Sequence, residues 1–201
     1  MLMNPFARRS DSHLLAVSMT GVKMGDRVAF VGCAHGGRLA AVASKVGLSG
    51  RSVAIVPDGQ AAELARKGAE RVGVLVEIET ASPTELPIED ASIDLAIVDD
   101  TGDLLGLMRA EQRVASVREL ARILRPGGRV IVVGTMPRAG LGKLLTRAPS
   151  GSRFTSSGEA NKALEADGFG IVRTLAEREG LVFIEGIKPR GIQGIEPKVK
   201  S

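Results

Sequence analysis

Short, unbroken apolar runs alternate with helical segments along most of this chain, and few folds accept that alternation. Arg27 to Val31 (RVAFV), Ser52 to Val56 (SVAIV), Val72 to Ile78, Ile93 to Val98 and Arg129 to Val133 (RVIVV) read as strands. They are continuous rather than alternating, as strands buried on both faces are. Between them Leu39, Val42 and Val46 recur at helical spacing before Gly47 and Gly50, residues 61–69 form a second helical segment, and residues 109–124 form a third. That third segment gathers Val114, Val117, Leu120, Ala121 and Leu124 on one face. A helix over residues 159–167 and two strand-like runs, Ile171 to Leu175 and Leu181 to Ile187, close the pattern. The order predicts one α/β domain, with five crossover-linked strands followed by a helix and a hairpin.

Composition narrows the function. A length of 201 residues suits a single core. One Cys excludes an intramolecular disulfide framework and a multi-Cys zinc cluster. The two histidines, His13 and His35, lie far from any metal-ligand spacing, so no metal is expected. The absence of Trp and Tyr removes the stacking platforms of single-strand and RNA binders. The net charge of +4 is mostly terminal, since Lys188, Arg190, Lys198 and Lys200 face only Glu196. We therefore expect no nucleic-acid face. No apolar run approaches the roughly 18 residues of a membrane span, and the N-terminal apolar stretch is too short for a signal peptide. A soluble, cytoplasmic protein is expected, with a cover segment over residues 1–24, an α/β domain over 25–188 and a basic, poorly ordered tail over 189–201.

Four segments give the chain a family likeness. They are Val28 to Ala40 (VAFVGCAHGGRLA) after the first strand, Glu85 to Leu95 (ELPIEDASIDL) leading into the fourth, Leu124 to Arg129 (LRPGGR) before the fifth, and Gly168-Phe169 ahead of the hairpin. Together they resemble the class I S-adenosylmethionine-dependent methyltransferases, in particular the branch of small-molecule and quinone methylases. The resemblance implies a Rossmann-like sheet of seven mostly parallel strands, with helices on both faces and an antiparallel last strand between the fifth-sequence and sixth-sequence strands. It implies S-adenosylmethionine as cofactor and a small-molecule acceptor as substrate, and leaves the oligomeric state open. It also places the cofactor against Gly32, Cys33, Ala34 and Gly36, with Asp58 near the ribose and Ser82 and Pro83 near the adenine. A small-residue turn before a helix lets backbone N–H groups reach a ligand carboxylate. The chain departs from the family where Phe30 replaces an acid in the first strand, Ala34 replaces a glycine, Pro57 stands where an acid closes the second strand, and Ser82 replaces an acid.

Individual residues carry two readings each. Asp58 is either a ribose acceptor or the residue of a Pro-Asp-Gly turn. Asp99 and Asp100, directly after the fourth strand, are candidates to orient a nucleophile or take its proton, against a bland role as caps beside Thr101. His35 is a candidate base or a polar lining residue. Cys33 reads as small packing beneath the turn, and His13 as part of an N-terminal helix covering the site. Two other functions compete with methyl transfer. Gly32, Ala34 and Gly37 fit a relaxed G-x-G-x-x-G with Asp58 about 20 residues on, as in NAD(P)-dependent oxidoreductases. The replaced acids also suit a methyltransferase-like fold that binds or regulates without turnover.

Overall fold

The computed structural model describes residues 5–136 and 153–190. The elements run α1 (Pro5–Thr20), β1 (Arg27–Val31), α2 (Gly36–Val46), β2 (Arg51–Val56), α3 (Gly59–Val72), β3 (Glu77–Thr80), β4 (Ile93–Asp99), a 3-10 turn (Asp100–Gly102), α4 (Ala110–Ile123), β5 (Leu124–Thr135), α5 (Arg153–Ser156), α6 (Glu159–Ala166), β6 (Ile171–Arg178) and β7 (Leu181–Ile187). The strands form one seven-stranded sheet in the order β3-β2-β1-β4-β5-β7-β6. The pairs from β3 to β5 are parallel, and β7 runs antiparallel between β5 and β6. This is the Rossmann-like arrangement expected.

Two apolar layers sandwich the sheet. On one face Leu15 and Ala16 of α1, Leu39, Val42 and Val46 of α2, and Ala61 and Ala65 of α3 pack on Val28, Phe30, Leu95 and Ile97. On the other, Val117, Leu120 and Ile123 of α4 and Leu164 of α6 pack on Ala29, Val31, Ala96 and Val98. Both faces of β1 and β4 are thus covered, which is why their sequences are continuously apolar.

Local chemistry sets the ends. Asp58 caps α3 by accepting from Ala61 N at 2.8 Å, and Gly73, at φ +73°, ends it in the left-handed region. The strand expected over residues 72–78 is therefore shorter and later, at Glu77–Thr80. Glu179 and Gly180, both at positive φ, make the two-residue turn joining β6 to β7. The Pro-Gly-Gly segment, expected as a turn before the fifth strand, is a bulge within β5. There the partners step from Ile93/Leu124 to Leu95/Arg129. Of the expected cover segment, residues 5–20 form α1. Of the expected tail over residues 189–201, residues 191–201 lie outside the described residues.

Candidate functional site

Strand order reverses between β1 and β4, and in open parallel sheets the segments leaving such a pair diverge to form a ligand crevice. Here Gly32 leaves β1 at φ +81°. A Cβ on it would lie 2.7 Å from Leu104 Cδ2 and 3.1 Å from the Asp99 carbonyl oxygen, so only glycine allows this approach. Its N–H donates to Ile55 O at 2.8 Å, fixing the loop to β2.

Asp99, the last residue of β4, ties the two segments together. Its Oδ2 accepts from Ala34 N at 3.0 Å, and Arg38 Nη2 donates to Oδ1 at 2.8 Å and Oδ2 at 3.0 Å. Thr101 donates to Oδ1 from its hydroxyl at 2.6 Å and from its N–H at 3.3 Å. Arg38 also meets the Thr101 hydroxyl. The Arg38 and Asp99 side chains are only 11% and 12% exposed, so this ion pair is shielded from solvent and breaking it costs more than a surface pair does. Beneath it lies a cavity of about 20 Å³, lined in part by Phe30, Cys33, Arg38, Asp99 and Val133. It has room for about one water molecule.

Asp100 is fully buried and holds the next segment. Its Oδ1 accepts from Leu105 N at 2.6 Å and Gly106 N at 3.4 Å, while Oδ2 has no partner among the described groups. Burial, reinforced by the nearby Asp103 and Asp99 charges and opposed by those two N–H donors, raises its pKa to about 6. Cys33 is buried too. Burial first, then the Asp99 charge, pushes its thiol up to about 12, so at neutral pH it stays protonated and is no nucleophile.

The remaining candidates spread along the same carboxyl edge of the sheet. His35 is exposed and precedes α2 without capping it through its side chain. Asp58 is exposed after β2 and uses only Oδ1 in its cap. After β3, the Ser82 and Thr84 hydroxyls lie 2.7 Å apart and Pro83 is buried. Gly36 is committed elsewhere: a Cβ there would lie 3.1 Å from Gly68 Cα, because α2 and α3 touch backbone to backbone. The structure thus gathers Gly32, Cys33, Ala34, Asp99 and Asp100 at one point and sets Asp58, Ser82 and Pro83 along its rim. Arg38, Thr101 and Leu104 were not singled out from sequence. The available signal for Arg38 was its place in the first turn of the helix that follows the glycine loop.

A sequence model described as a methyltransferase domain matches residues 30–132, just over half of the chain. An uncharacterised 37.1 kDa protein in transposon TN4556 of Streptomyces fradiae is 33% identical over 108 residues. That match covers 54% of this chain and only 30% of the relative. Among solved structures, a SAM-dependent methyltransferase from Aquifex aeolicus superimposes with a TM-score of 0.69 at 17% identity, covering 92% of this chain and 99% of that one. The [4+2]-cyclase SpnF gives 0.68 at 19% identity, covering 90% and 82%. At such identities the structural likeness speaks for the fold.

Proposed function

Because the chain belongs to the class I S-adenosylmethionine-dependent methyltransferase family, whose cofactor is S-adenosylmethionine, we propose that it transfers a methyl group to a small-molecule acceptor at the carboxyl edge of its sheet. The observation that carries this reading is the β1–β4 junction, where Gly32 accepts no side chain and the loops after both strands meet. The residues present suit the cofactor. The Gly32–Gly36 backbone would hold its amino-acid end, exposed Asp58, with an oxygen outside its cap, its ribose hydroxyls, and the Ser82–Pro83 turn its adenine. Bound there, the cofactor supplies an activated methyl group on a cationic sulfur.

The chain's own task is then alignment and exclusion of water, not strong acid–base chemistry. Asp99 and Asp100 serve by positioning: the first holds the Ala34 N–H and the Arg38 guanidinium, the second the Leu105 and Gly106 N–H groups. His35, exposed just before α2, serves in this reading as the group that takes a proton from the acceptor. A binding-only role is favoured by one observation, the presence of Phe30, Pro57 and Ser82 where the family has acids.

Calorimetric titration of the full chain with S-adenosylmethionine and with NADH separates these readings. Binding of the first alone, with methyl transfer across an acceptor panel, supports the enzyme. Binding without transfer supports the second role. NADH binding supports an oxidoreductase, and binding of neither at millimolar concentration overturns both enzyme readings.

A further inference from the structure

We propose that the cavity between α1, α2 and α3 is a second binding site, and that it takes a small organic phosphate. The cavity measures about 440 Å³, inside the roughly 300–1,000 Å³ range of small-molecule sites. No strand residue lines it. It shares Ala34, His35 and Gly36 with the loop assigned to the cofactor but includes none of Gly32, Asp58, Ser82 or Asp99, so it adjoins that site on the outer side of the loop.

Among the described residues its lining holds basic side chains and histidines and no carboxylate. His13 enters from α1, His35 and Arg38 from the start of α2, and Lys67 and Arg71 from α3. His13 and His35 are the only histidines in the chain, and both face this one space. Lys67 and Arg71 stand four residues apart, on the same stripe of α3. The acids of that helix are drawn to another cation: Arg66 binds Glu63 at 2.6 Å and Glu70 at 2.5 Å. Lys67 also lies 3.1 Å from Glu63, at an exposed position where such a pair exchanges readily.

Two glycines meet along one side of it. A Cβ on Gly68 would lie 2.7 Å from Gly36 Cα, so the helices touch there through bare backbone. The α2 helix, 11 residues long, begins here without a side-chain cap and without an acid in its first turn. Its positive end therefore adds to the side-chain charge. A phosphate group offers several acceptor oxygens and two negative charges to the basic side chains that three helices bring to this space. A monocarboxylate would answer only one or two of them.

Inorganic pyrophosphate titrated into the full chain at low ionic strength tests the proposal, read by calorimetry and by the imidazole resonances in NMR. Saturation should move the ring signals of both His13 and His35. Arg71→Glu and Lys67→Glu, both at exposed positions, should each raise the Kd about tenfold, the size of an interfacial charge reversal. Arg118→Glu, an exposed cation far from the cavity, should leave it within twofold. S-adenosylmethionine affinity should be the same in all three variants, so failure of the cofactor reading and failure of this one are distinguishable. Unmoved histidine signals, or equal loss in Arg118→Glu and Arg71→Glu, would overturn the proposal.

Discussion

Replacing Asp100 with Asn removes a charge and keeps a shape, at a position where the two effects separate by pH. The side chain is 1% exposed, and Oδ1 accepts two backbone N–H groups that an Asn oxygen can accept as well. Burial raises the carboxyl from 3.8 to about 6 in the folded chain. Between those values the unfolded chain has lost this proton and the folded chain keeps it. Wild-type stability therefore falls as pH rises, by about 1.4 kcal/mol per unit, and the full loss above pH 6 is about 3 kcal/mol. Asp100→Asn lacks the titration, so its stability relative to wild type should climb by about 3 kcal/mol from the low end of the window to neutral pH. Urea unfolding of both proteins at stepped pH measures this difference directly, since every other titrating group cancels to first order. A difference that is flat across the window, or that shrinks as pH rises, refutes the assignment of a protonated buried carboxyl.

Three further outcomes follow from the same geometry. Asp99→Ala strands the shielded Arg38 guanidinium and the Ala34 N–H; it should cost about 3 kcal/mol in urea unfolding and weaken S-adenosylmethionine binding, whereas unchanged affinity would detach the loop from the cofactor. Gly36→Ala drives a Cβ into the α3 backbone and should lower stability by about 2 kcal/mol or more, seen as a drop in Tm. A loss of ligand binding in that variant reports helix packing first, so stability must be measured beside affinity. Cys33, its thiol pushed up to about 12, should resist iodoacetamide at pH 8 in the native chain and react once urea unfolds it; native labelling at the unfolded rate would contradict its burial.

Most of the sheet was legible because its strands are central. β1, β2, β4 and β5 are buried on both faces, so each prints an unbroken apolar run, and the crossover helices print a 3.6-residue period. The misplaced strand, β3, is the edge. It pairs only with β2 and its four residues, Glu77 to Thr80, are mostly exposed, so it carries no apolar signature. The apolar residues that suggested a strand belong to its approach: Val72 ends α3, and Leu75 is 80% exposed. Gly68 was equally opaque. A glycine inside a helix costs about 1 kcal/mol relative to Ala, and only the contact with Gly36 explains it.

The site was legible as a place and illegible as a network. The glycine loop, the run into β4 and the two following aspartates were all visible, and all but the rim residues meet at the β1–β4 junction. What periodicity cannot encode is which side chain reaches across 61 residues of sequence to which partner, as Arg38 does to Asp99. Phe30 shows the consequence. Taken strand by strand, its presence reads as a missing acid. Yet Phe30 pairs with Ile97 across β1 and β4, and Asp99 lies two residues beyond Ile97, on the same face and one step nearer the loop. A carboxylate does serve the loop N–H of Ala34, delivered from the neighbouring strand. An acid at position 30 would stand beside that carboxylate, with one Arg38 between two like charges. The aromatic ring in β1 and the acid at the end of β4 are therefore a matched pair of choices, and restoring an acid at position 30 alone should weaken the junction it appears to repair.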